Sequence, residues 1–166
     1  MRQKGRRPRT KGLVLGLGND ILSDDGVGLV VVRRLRKLFE GTPSIEFVET
    51  NEMGLSLLDF IAGYDWVVVV DSIITGEHEP GTVRVFDGWK LDDPRAGNPH
   101  HMGLDEVLAM GEKADLKMPK KLYVVAIEVK DPFSFGEALT PSVERAVPEA
   151  VGRVEKLINE KCLGAE

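Results

Sequence analysis

Three short stretches of this chain are apolar at nearly every position and stop abruptly. Residues 12–17 read Gly-Leu-Val-Leu-Gly-Leu and stop at Gly18-Asn19. Residues 66–70 read Trp-Val-Val-Val-Val and stop at Asp71-Ser72, and residues 122–127 read Leu-Tyr-Val-Val-Ala-Ile. Runs of this kind suit central strands covered on both faces, as in parallel sheets. Weaker strand patterns occur at Ile45–Glu49 and at Thr82–Phe86, the second after the turn signature Glu79-Pro80-Gly81.

Helical periodicity fills the gaps. Residues 25–40 place Val27, Val31, Leu35 and Leu38 on one stripe. Gly54–Ala62 carries Leu55, Leu58, Phe60 and Ile61, and residues 101–112 carry Leu104, Val107 and Leu108. The last helix opens with Thr140 as N-cap and Pro141 at its first position, followed by Val143, Val147, Val151, Val154 and Ile158. Pro148 lies inside that pattern and predicts a kink or a restart. Strands alternating with helices predict an α/β fold, a three-layer α/β/α arrangement around a twisted, mostly parallel sheet of about five strands. No repeat, linker or second domain is visible.

Composition then narrows the class. A chain of 166 residues suits one domain. It has one cysteine, Cys162, which predicts a reducing, cytoplasmic setting. The net charge of −5 argues against nucleic acid as a partner. That figure is unevenly spread. Residues 1–11 hold Arg2, Lys4, Arg6, Arg7, Arg9 and Lys11 and no acid, so residues 12–166 carry −11. The expected organisation is a basic, flexible tail over 1–11 and a single domain over 12–166. The tail has no apolar core of the kind a secretory signal needs. No apolar run approaches the ~20 residues of a membrane helix, so no membrane partner is expected.

In open α/β sheets, ligands bind beyond the carboxyl ends of the strands. The first strand runs into Gly18-Asn19-Asp20-Ile21-Leu22-Ser23-Asp24-Asp25-Gly26-Val27-Gly28, and the run over 66–70 stops at Asp71. The glycines do not complete a dinucleotide fingerprint, because Ile21 stands where the third glycine belongs, and no Gly-Lys-Ser/Thr follows. Their simpler role is to let the loop turn tightly and the helix pack close. Asp24 and Asp25 sit where the first helix begins. One can serve its N-terminus, and the other then needs a different explanation. His78 lies in a turn and reads as solvated. His100 and His101 are better placed, just before a helical pattern. Two carboxylates and one imidazole form an O,O,N donor set suited to a borderline divalent ion such as nickel or zinc, with open positions. Neither His-Glu-x-x-His nor Gly-x-Ser-x-Gly is present. Cys162 reads as structural or incidental.

The stretch Leu15-Gly16-Leu17-Gly18-Asn19-Asp20-Ile21-Leu22-Ser23-Asp24-Asp25-Gly26-Val27-Gly28 resembles the opening motif of the hydrogenase maturation endopeptidases. The resemblance continues at Val67-Val68-Val69-Val70-Asp71, at Pro80-Gly81-Thr82-Val83 and at His100-His101-Met102-Gly103-Leu104, and spans most of residues 12–160. It implies an endopeptidase that trims the C-terminal extension of the large-subunit precursor of a nickel–iron hydrogenase. It also implies nickel supplied by the substrate; no organic cofactor is expected, and nothing in the sequence demands more than a monomer. The family's nickel-contacting residues fall on Asp25, Asp71 and His100, which would also be the catalytic set. His101 and Asp24 are the less favoured alternatives. Gly18, Asn19 and Gly54 would face substrate. The chain departs from the family at Asn51-Glu52-Met53-Gly54, where only the last glycine of a Gly-Thr-x-Gly pattern is kept. Two other functions remain open at this stage: a non-catalytic nickel-sensing chaperone for the immature subunit, and a germination-type protease of related fold.

Overall fold

A computed structural model describes residues 11–91 and 103–163. Five strands form one sheet in the order β2-β1-β3-β5-β4. They are β1 (Gly12–Leu17), β2 (Ile45–Thr50), β3 (Trp66–Ile73), β4 (Val83–Asp87) and β5 (Lys121–Glu128). The pairs β1–β2, β1–β3 and β3–β5 are parallel, and β4 runs antiparallel to β5. Residues 74–82 explain that reversal, because a parallel crossover needs a dozen residues or more and usually a helix.

Helix α1 (Val27–Leu38) and helix α4 (Pro141–Leu157) cover one face. Their stripes Val27, Val31, Leu35 and Val143, Val147, Val151, Val154 share one buried cluster with Val14, Val68, Val70, Val125 and Ile127. The short α2 (Leu58–Ile61), entered through a 3-10 turn at Gly54–Leu57, and α3 (Leu104–Lys113) cover the other. There Leu57, Ile61, Leu104, Val107 and Leu108 pack on Leu13, Leu15, Val67, Val69, Leu122 and Val124. Odd and even residues of each strand thus feed opposite faces, which is why the runs are apolar throughout.

The structure departs from the pattern in four places. β3 does not stop at Asp71 but continues to Ile73, because β5 keeps pairing through Ile73–Glu128 after β1 has ended at Gly16–Val70. The last helix runs through Pro148 without a restart; that residue lies on the exposed side, where water can take the carbonyl it leaves unbonded. Leu38 is 60% exposed and does not belong to the buried stripe of its helix. Lys11, counted with the basic tail, is held by the fold: its N–H donates to Asp65 Oδ2 (2.7 Å) and its Nζ pairs with Glu46 (2.8 Å). Cys162 is buried in the α1/α4 cluster, and burial pushes its thiol up to about 11, so it is not a reactive thiolate. No helix among the described residues is long and apolar enough to cross a membrane.

Candidate active site

From the carboxyl end of β1 the chain passes through α1 on one face to β2, whereas from that of β3 it passes outward to β4 and returns to β5 through α3 on the other. Side-by-side strands with connections on opposite faces open a crevice at their carboxyl ends. The loop after β1 forms one wall. Gly18 has φ +145°, and a Cβ there would lie 2.0 Å from the Asp25 carbonyl oxygen. At Gly28 a Cβ would meet Val70 O at 2.5 Å and Leu17 O at 2.7 Å. These glycines therefore bring the loop and α1 down onto β1 and β3, as the close-packing reading of the motif requires.

Asp24 and Asp25 point to different duties. Asp24 is completely buried. Its carboxylate accepts the N–H groups of Lys130 (3.1 Å), Asp131 (2.9 Å) and Thr140 (2.7 Å), and the Thr140 hydroxyl (2.8 Å). It ties the β5–α4 loop to the β1–α1 loop. Asp25 is half-buried and faces the crevice; its Oδ2 accepts the Asn19 N–H (2.8 Å) and its Oδ1 the Ser72 hydroxyl (3.1 Å). Each Asp25 oxygen keeps lone-pair capacity for another ligand.

Asp71 stands across the crevice on β3. Its Oδ1 accepts the Ser72 N–H at 2.8 Å. Burial pushes its carboxyl up to about 8 from the ordinary 3.8, opposed by the Ser72 N–H and reinforced by the negative charge of Asp25. Ser72 thus joins the two carboxylates, donating its hydroxyl to one and its N–H to the other. The sequence reading passed over it. Its only signal was its place beside a strand-end aspartate.

Glu128 was also passed over. It is buried at the end of β5, and its Oε1 accepts from Thr75 N–H (2.9 Å), Thr75 Oγ1 (2.9 Å) and Gly76 N–H (3.1 Å). It fixes the segment following Asp71. The edge therefore carries two kinds of carboxylate. Asp24 and Glu128 hold loops from within, whereas Asp25 and Asp71 remain partly open to the crevice. His100 and His101 lie outside the described residues. Among the described residues no group of three or more potential metal ligands occurs, so Asp25 and Asp71 are the part of the expected donor set that the structure places. Of the glycines expected to face substrate, Gly54 has φ +64° with open space around it, while Gly18 is committed to packing against Asp25. His78 is exposed, as its turn composition implied.

Comparison with known proteins identifies the family and the fold. The family described as hydrogenase maturation protease matches residues 29–157. The chain is 27% identical over 150 residues to the hydrogenase 2 maturation protease of Escherichia coli (strain K12), covering 89% of this chain and 90% of that protein. It is 29% identical over 150 residues to the hydrogenase expression/formation protein HupD of Rhizobium leguminosarum bv. viciae, covering 89% and 73%. The solved structure of the hydrogenase maturating endopeptidase HybD from E. coli superposes with a TM-score of 0.73 at 26% identity, over 90% of this chain and 93% of that one. With the family model matching most of the chain and the fold superposing on a solved member, the chain belongs to the hydrogenase maturation protease family.

Proposed function

We propose that this protein is an endopeptidase that removes the C-terminal extension of a nickel–iron hydrogenase large-subunit precursor once nickel is in place, reading the nickel that the precursor carries. Processing of the large subunit is the known role of the family. The observation that supports the site is the Asp25–Ser72–Asp71 arrangement, two carboxylates linked by one residue at the mouth of the crevice between β1 and β3.

In this reading Asp25, Asp71 and His100 meet the precursor's nickel and bring the scissile bond to a fixed place. Carboxylate oxygens and an imidazole suit a borderline divalent ion. A buried carboxyl held up to about 8, beside a second carboxylate, is a place where an arriving cation relieves an unfavourable charge environment. Asn19 and Ser72 hold Asp25 in its orientation. Gly54 and the exposed Asn51–Met53 segment would line the path of the extension. His101 is the second choice for the imidazole. Asp24 is disfavoured because its carboxylate already serves the β5–α4 loop. Two routes to hydrolysis are chemically open: the precursor's nickel polarises the scissile carbonyl, or a crevice carboxylate takes the proton from the attacking water. The protein is expected to act as a cytoplasmic monomer without an organic cofactor.

The test mixes the protein with nickel-loaded and with nickel-free precursor and reads the large subunit's C-terminus by mass spectrometry. Shortening of the loaded form alone is expected. Cleavage of both forms would defeat nickel recognition, and binding without cleavage of either would make the protein a chaperone.

A further inference from the structure

Ten large apolar side chains are exposed among the described residues, and they are not scattered at random. Ile21, Met53, Leu55, Ile74, Phe133 and Phe135 all lie on segments that leave the carboxyl ends of β1, β2, β3 and β5. They surround the edge that carries Asp25 and Asp71. Phe133 and Phe135 are the extreme cases among the aromatics, 73% and 87% exposed. Clustered exposed apolar surface marks an interaction site, whereas single exposed apolar residues do not.

The two phenylalanines are carried by a loop that is held firmly. Asp24 accepts three of its backbone N–H groups, at Lys130, Asp131 and Thr140. Within the loop, Asp131 Oδ1 accepts the N–H groups of Phe133 (3.0 Å) and Ser134 (2.9 Å). Gly136 N–H donates to Ile21 O (2.9 Å) and Gly136 O accepts the Ser23 N–H (2.7 Å). Ser23, whose hydroxyl donates to Ala138 O, is held at φ +45°, a conformation that persists only where its surroundings dictate it. Aromatic side chains exposed on a preorganised loop lose little freedom when a partner covers them.

We propose that the β5–α4 loop is a docking lip for the folded body of the large-subunit precursor, with Phe133 and Phe135 as its anchors. This rests on the processing function proposed above. The choice of occupant follows from continuity with the crevice. Asp24 and Asp25 are consecutive, and one holds the lip while the other faces Ser72 and Asp71. A partner whose tail lies between Asp25 and Asp71 must set the domain bearing that tail against the neighbouring loop.

The experiment compares wild type with the Phe133→Ser/Phe135→Ser double variant, and with Phe133→Leu/Phe135→Leu as the conservative control. Both pairs sit on exposed side chains, so the fold is retained. Binding of full-length nickel-loaded precursor is measured by interferometry, and KM and kcat by appearance of the shortened subunit. The serine variant is expected to weaken binding and raise KM about 10- to 100-fold, with kcat changed by less than about twofold, and the leucine variant to recover most of the loss. Equal affinity and equal KM in wild type and the serine variant would overturn the lip. A wild-type dimer that becomes monomeric in the serine variant would overturn it too, by assigning the aromatics to self-association. If wild type does not shorten the precursor, the processing function fails, and the lip is judged on affinity: loss in the serine variant sustains it, and no loss rejects it.

Discussion

Replacing Asp71 by asparagine tests the electrostatics of the crevice directly. The change keeps the shape of the side chain and removes its ionisation. In the fold, burial first and the charge of Asp25 second hold the Asp71 carboxyl up at about 8, against 3.8 for the free group, despite the Ser72 N–H. Between those two values the folded protein keeps a proton that the unfolded chain has released. Stability from this group is therefore complete below about pH 4 and is lost as pH rises through about 8. At about 1.4 kcal/mol for each factor of ten in proton affinity, the full effect would be roughly 5–6 kcal/mol. Residual water contact at this half-buried residue screens part of it, so about 2–4 kcal/mol is expected. Asp71→Asn removes that pH dependence. Urea unfolding of both proteins at pH 5 and pH 9 isolates it, because other titrating groups cancel in the difference. The variant should gain on wild type as pH rises, by about 1.5–3 kcal/mol between the two conditions because part of the loss already lies below pH 5, and should not cleave precursor. A difference between the two proteins that is the same at both pH values, within about 0.5 kcal/mol, would refute the burial argument.

Asp24→Ala leaves three backbone donors and the Thr140 hydroxyl without their acceptor; because the donors are near the surface and water can replace part of the loss, a cost of about 3 kcal/mol is expected by thermal unfolding, with faster amide exchange confined to residues 129–140. Gly28→Val would push side-chain atoms into the Val70 and Leu17 carbonyls and should cost about 2–4 kcal/mol in the same assay, with Gly28→Ala intermediate. Ser72→Ala removes the hydroxyl that orients Asp25 but keeps the N–H that meets Asp71; cleavage should fall about tenfold with stability changed by less than about 1 kcal/mol, as read by steady-state rates and urea titration.

Much of the fold was legible because burial on both faces writes itself into consecutive residues. Runs such as Val67–Val70 leave no polar position to face water, so they name the central strands outright. Elements with one open side read less sharply. The 54–62 segment divides into a 3-10 turn and a single turn of α-helix, and Leu38 falls outside its helix's buried stripe, because at a surface local propensity and tertiary contact compete on equal terms. Of the site, Asp71 was legible from its place at a strand end and the Asp24–Asp25 pair from its place before α1, with Asp25 singled out only by the family resemblance. Ser72 and Glu128 were not, because their partners lie far away in sequence or on another strand and no spacing rule connects them.

The sequence by itself determined the α/β class, the central strands, and the edge of the sheet where carboxylates collect. It also left a pair, Asp24 and Asp25, that composition cannot tell apart. Only the tertiary structure divided their work. The β5–α4 loop returns across the sheet and encloses Asp24 completely, while Asp25, one residue on, meets Asn19 and Ser72 at the open crevice. The physical reason is that adjacent residues share composition and propensity but not surroundings. Which of two neighbouring carboxylates is enclosed by donors, and which keeps lone pairs open to the crevice, is decided by chain segments more than a hundred residues away, with Asp24 and Thr140 separated by 116 positions.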